Sequence, residues 1–124
     1  MARWRRLWLI AGIGLVVAVV VLSLAPPLPD TGPENADKLH HLVAYFVLMH
    51  WFSQLYTGGS ARGRLAAGLA AMGATLEWLQ GFTGYRDASA LDALANLAGV
   101  AMGWLAAPPR LPNLLDRIAG RVPW

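Results

Sequence analysis

The chain has 124 residues, 56% of them hydrophobic and only 14% charged, with a formal net charge of +3. At this length one domain is the default, and so little polar surface argues against a dispersed soluble domain and for a membrane protein. The basic residues form no DNA-reading motif, so nucleic acid is rejected as a partner. With no cysteine, disulfides, thiol catalysis and cysteine-ligated metal are excluded.

Leu7 to Ala25 is an uncharged run of nineteen residues. As a helix it covers about 28 Å, close to the hydrocarbon thickness of a bilayer. The preceding MARWRR is like the basic start of a cleaved signal peptide. The apolar run is longer than such a peptide needs, however, and cleavage would leave Pro26 first, so an uncleaved helix is expected. PPLPDTGPE cannot continue a helix and predicts a loop. A second apolar run covers residues 39–56. TGGSARGR breaks the pattern before a third run at 65–82, and TGYRDAS forms a turn before a fourth at 91–107, which Pro108 and Pro109 stop. In the tail, 108–124, Leu114, Leu115, Ile118 and Val122 recur at helical spacing. A short helix on the membrane surface and an unstructured tail are both open there.

The fold class expected is therefore an all-α membrane protein, with four transmembrane helices in a compact bundle. Eight of the ten basic residues (Arg3, Arg5, Arg6, Arg62, Arg64, Arg110, Arg117 and Arg121) fall on one side of that topology. The positive-inside rule makes that side, and with it both termini, cytoplasmic. The proline-rich loop and TGYRDAS then face outward, with Lys38 and Arg86 as the basic residues there.

This topology gathers polar side chains at the outer ends of three spans. Asp37, His41 and Tyr45 are four apart and share one helix face; Ala70, Gly73, Glu77 and Gln80 share another; Asp92, Asn96, Gly99 and Gly103 share a third. Glu77 and Asn96 sit five residues from their helix ends, about 7.5 Å deep. A charge at the bilayer centre costs about 3 kcal/mol on insertion scales, so shallow placement with partners is the expected solution. Arg86 is the expected partner of both Glu77 and Asp92. Gly99-x-x-x-Gly103 permits close helix approach in lipid and turns the polar face into the bundle.

At these residues the chain resembles the VanZ-like family of small bacterial membrane proteins. DKLHHLVAY carries the family's Asp-Lys-x-x-His-x-x-x-Tyr pattern at Asp37, Lys38, His41 and Tyr45. EWLQGFTGYRDASALDALANLAGVAMG carries the linked pattern at Glu77, Gln80, Arg86, Ser89, Asp92, Asn96, Gly99 and Gly103. The residues before Arg86 are Gly-Tyr where the family has Pro-Gly, and His50 is an addition. The resemblance, over about residues 37–103, implies a multi-pass protein of the bacterial cytoplasmic membrane linked to resistance to the glycopeptide teicoplanin.

Intramembrane ionisable residues are functional candidates by default, whereas a hydrogen bond that only staples helices averages about 0.6 kcal/mol. The ligand-binding candidates are Glu77, Arg86, Asp92, His41, Tyr45, Asp37 and Lys38; Gln80, Ser89 and Asn96 orient the charged groups. His40 faces about 100° away from His41, and His50 is assigned to packing or to a contact in the cytoplasmic half of its span. Trp4, Trp51, Trp78 and Trp104 are assigned to the interfaces or the lipid-facing surface. His41, Glu77 and Asp92 are chemically able to ligate zinc or manganese, but no HExxH or histidine pair on one face is present and Arg86 opposes a cation. The expectation is no metal and no cofactor. No nucleophile motif supports an enzyme acting on a lipid-linked phosphate, and four spans leave little room for a proton-coupled transporter unless the chain forms a homo-oligomer. The reading that fits best is binding of an anionic or peptide-like headgroup, such as a lipid-linked cell-wall component.

Overall fold

In the computed structural model, which describes residues 1–27 and 36–121, five α-helices run in sequence: α1 Ala2–Leu24, α2 Ala36–Ser53, α3 Gly59–Gln80, α4 Ala90–Leu105 and α5 Leu114–Ile118. Among the described residues there is no strand. Residues 28–35 of the expected proline-rich loop, and Val122 of the tail, lie outside the described residues. α1 to α4 alternate in direction. The C-terminal ends of α1 and α3 therefore meet the N-terminal ends of α2 and α4 at one end of the bundle, the cluster end. The opposite, basic end holds Arg3, Arg5, Arg6, Arg62, Arg64 and Arg110.

Two helices start earlier than the apolar runs suggest. α1 takes in the basic residues before Leu7, because arginine and tryptophan are adequate helix formers and nothing there breaks the spiral. α3 begins at Gly59, so SARGR is not a break; Gly58, with extended φ and ψ, is its N-cap. α2 ends at Ser53, short of the apolar run's limit at residue 56. α5 is a single short helix whose start is fixed by Asn113, the side chain of which accepts from Asp116 N at 3.0 Å. Leu115 is buried against the bundle, so this stretch of the tail is docked rather than free.

The pairing of α2 with α4 is the most extensive in the molecule. These two helices run parallel and approach through glycine. A β-carbon on Gly99 would collide with the carbonyl oxygen of Leu42 and stand 3.0 Å from Phe46 N; one on Gly103 would stand 2.7 Å from Phe46 O and 2.8 Å from Met49 Cβ. The close helix approach expected of Gly99 and Gly103 is thus present, and its partner is the backbone of α2. Tyr45, Leu48, Met49 and Phe52 of α2 form the buried core with Leu69 of α3, Val100 of α4 and Leu115.

α1 joins this core through a reciprocal tryptophan pair. The Trp8 and Trp51 rings stack with centroids 3.9 Å apart, and each Nε1 donates to the other residue's carbonyl at 2.9 Å. Trp51, expected at an interface or facing lipid, instead cements α1 to α2. Trp78 is exposed. His50 stacks on Phe46 and pairs with Gln54, in keeping with its packing role.

Around this apolar core, burial is partly inverted relative to a water-soluble fold. Ser53, Gln54, Arg62, Glu77, Gln80, Asp92 and Asn96 are buried, whereas Leu22, Leu39, Phe82, Leu91, Leu94 and Leu105 each expose more than half their surface. α1, of 23 residues with a mean hydropathy of 2.8, is long and apolar enough to cross a membrane; α4 is apolar but shorter, at 16 residues.

Because Gly99 faces backbone rather than a movable side chain, Gly99→Val should destabilise the bundle by about 3 kcal/mol, the upper range for overpacking. Gly68→Ala, where a β-carbon meets nothing within 4 Å, should leave stability nearly unchanged. Thermal unfolding of both variants in the same detergent measures the difference.

Candidate functional site

The cluster end is built from the first turns of α2 and α4 and the last turn of α3. Ser89 is the N-cap of α4, and its side chain accepts from Asp92 N at 3.3 Å. The spacing Ser89-x-x-Asp92 is that of a capping box, in which the acidic residue normally reaches back to the cap's own N–H. Here Glu77 of α3 takes that place: its Oε1 accepts from Ser89 N at 2.7 Å. The Asp92 carboxylate is thereby left to face α2.

It faces Lys38 and His41. Lys38 Nζ stands 3.8 Å from Asp92 Oδ1, and His41 Nε2 stands 3.7 Å from Asp92 Oδ2. Neither separation is a hydrogen bond. Asp92 is 7% exposed, and its Oδ1 has no hydrogen-bond partner among the described residues. The other ring nitrogen of His41 lies 3.0 Å from Asn96 Oδ1. With that oxygen as acceptor, Nδ1 carries the proton and Nε2 turns towards the carboxylates. Beneath them Gly73 leaves room for Asn96 and Tyr45: a β-carbon there would stand 3.1 Å from Asn96 Nδ2 and 3.2 Å from Tyr45 Cε1.

Of the residues singled out by the sequence, Glu77, Asp92, His41, Lys38, Ser89 and Asn96 therefore come together, with Tyr45 buried just below. Asp37 and His40 are exposed, and neither takes part. Gln80 is buried but serves α1, its Nε2 donating to Ser23 O at 2.8 Å.

Arg86 differs most from expectation. It forms no ion pair with Glu77 or Asp92 among the described residues. Its Nε donates to Ala25 O at 2.9 Å and its Nη2 to Leu22 O at 3.1 Å, and the Tyr85 hydroxyl donates to Leu24 O. The last carbonyls of a helix have no intrahelical donor and carry the negative end of its dipole, so they attract a guanidinium as a carboxylate would. Arg62, which is buried, repeats the device at the basic end. Its Nε donates to Tyr56 O at 2.8 Å, Nη1 to Pro108 O at 2.7 Å and Nη2 to Ser53 O at 3.0 Å. Sequence gave Arg62 only a topological role; the available signal was its place one turn into α3, opposite the C-terminal ends of α2 and α4.

No family model, curated protein or solved structure matches the chain.

Arg86→Ala removes two charge-assisted hydrogen bonds at a half-exposed position and should lower stability by about 1–2 kcal/mol. Arg86→Lys, lacking the fork that reaches two carbonyls, should recover less than half of that. If Arg86 acted through Glu77 and Asp92 instead, Glu77→Gln would abolish the effect of Arg86→Ala in a double-mutant cycle; additive unfolding energies are expected.

Proposed function

We propose that the chain is a multi-pass protein of the bacterial cytoplasmic membrane, with α1 to α4 spanning the bilayer, both termini cytoplasmic and the cluster end facing outward. There it binds the polar headgroup of an envelope component, such as a lipid-linked cell-wall precursor or its peptide stem. The inverted burial supports the four-span reading, since apolar side chains cover the outer faces of α2, α3 and α4 as well as α1. Helix rise gives these elements lengths of about 24–35 Å, which bracket the hydrocarbon thickness. The segregation of arginine to one end supports the orientation. Retention of α1 is supported by the four side chains, Trp51, Gln80, Tyr85 and Arg86, that donate to its carbonyls or to Ala25 just beyond it.

The observation that carries the binding role is the buried Asp92 Oδ1, an ionisable acceptor with no hydrogen bond among the described residues, beside a Lys38 whose side chain is 35% exposed. Leaving such an acceptor unmet is costly, so a further donor fits there, and a headgroup can supply it. Asp92 suits an N–H donor and Lys38 an adjoining anionic group, a combination that favours the peptide-like over the purely anionic headgroup. The resemblance to VanZ-like proteins points to the same compartment and to the teicoplanin-sensitive stem.

A single cysteine at Asp87 should react with a membrane-impermeant maleimide in intact cells, and one at Ser60 should react after lysis alone; the reverse pattern inverts the orientation. Expressed in a teicoplanin-sensitive bacterium, the chain should raise tolerance to the drug. Lys38→Ala and Asp92→Asn should lose most of that gain while accumulating in the membrane at wild-type levels. Full tolerance in both variants would sink the proposed site.

A further inference from the structure

We propose that His41, Glu77 and Asp92 form a binding site for one divalent transition-metal ion of the zinc or manganese type. Each residue comes from a different helix, and one ligand atom from each lies within 4.8 Å of the others. An imidazole with two carboxylates is a mixed nitrogen–oxygen set that suits zinc or manganese better than calcium or magnesium. Ligand distances around such ions are about 2.0–2.2 Å, so the three side chains close inward by roughly an ångström around it, as the unbonded separations allow.

Three features prepare the site. Asn96 Oδ1, 3.0 Å from His41 Nδ1, holds the ring so that Nε2 offers its lone pair to the cluster, the arrangement that an outer hydrogen bond gives to metal-bound histidines. Asp92, buried, has an oxygen without a hydrogen-bond partner among the described residues. Charge does not oppose a cation: among the described residues the two carboxylates outnumber Lys38, the one lysine or arginine at ion-pair distance of either, and His41 itself stands 3.7 Å from Asp92. The objection that Arg86 would repel a cation is weakened, because its guanidinium is bound to the carbonyls at the end of α1. Three protein ligands leave coordination positions open, as in metal sites that accept an exogenous ligand.

This deepens the reading of the same cluster and depends on it only for the location of the site; the headgroup has no part in its test. The full chain in detergent is stripped with chelator and titrated with Zn²⁺, and separately with Mn²⁺, by calorimetry, with bound metal counted by mass spectrometry. One ion per chain is expected with at least one of them. Asp92→Asn and His41→Ala should weaken binding at least 100-fold. Glu77→Gln, which keeps an acceptor for Ser89 N–H and so keeps the cap on α4, should weaken it 10-fold or more. Asn96→Ala, which removes no ligand, should weaken it about 10- to 100-fold through the orientation of His41. His40→Ala and His50→Ala should stay within about twofold of wild type, with circular dichroism confirming the helices throughout. No bound ion in the wild-type chain overturns the proposal, since His41 and Asp92 are then simply neighbours across the α2–α4 seam. Binding that survives Asp92→Asn and Glu77→Gln, or that falls with His50→Ala, overturns it equally. Teicoplanin tolerance without metal binding would leave the headgroup reading standing alone, and metal binding without tolerance the reverse.

Discussion

Between α2 and α4 the backbones touch, because Gly99 and Gly103 present no side chain to Leu42, Phe46 and Met49. Everything at the cluster end depends on that approach. It fixes the register that puts His41 beside Asn96 and brings Asp92 within reach of both Lys38 and His41. The two helices run parallel, so their N-terminal ends lie together and their dipoles present positive potential to the same small volume. Two carboxylates gather where that potential is available to them. Spread the helices by the width of one methyl group, and Lys38 and His41 no longer converge on Asp92 and Asn96.

A second constraint organises the ends of the bundle. Carbonyls at helix C-termini have no donor within their own helix and need one from elsewhere. Arg62 gathers three such oxygens at the basic end, while Arg86, Tyr85 and Gln80 serve the end of α1 at the other. The two arginines are placed alike although only Arg62 is buried. Each does the work that a capping glycine with solvent would do in a water-soluble fold. This arrangement also frees the carboxylates, since the cation nearest to them in sequence is engaged elsewhere.

The helices were legible because apolar runs separated by proline and glycine clusters admit few other readings, and the convergence of Glu77, Asp92, His41 and Asn96 followed from period and topology together. Helix starts were less legible. Nothing apolar marks Ala2 or Gly59, and the glycines before Ser60 look like a break until Gly58 is seen as a cap. The partners of Arg86 were not legible at all. A search for opposite charge finds Glu77 and Asp92, but the negative end of α1 is carried by backbone and has no letter of its own. Likewise, the spacing of Ser89 and Asp92 suggests a self-contained cap, and only the fold reveals that Glu77 supplies its second half.

That exchange divides labour between two acids that look alike in sequence. Glu77 already holds a hydrogen bond from Ser89 N, so part of its charge is committed to starting α4 and to joining α3 to it. Asp92 donates its own N–H to the hydroxyl of the cap, but its carboxylate holds no hydrogen bond at Oδ1 among the described residues. Two like charges this close repel by several kcal/mol at the dielectric of a protein near its surface, and Lys38 at 3.8 Å offsets only one of them. A bundle selected for stability alone would relieve the strain by replacing Asp92 with asparagine, which keeps the size and supplies a donor. Retaining the acid at that position is sensible when its charge is used, and His41, held beside it by Asn96, is the neighbouring group that can share in that use.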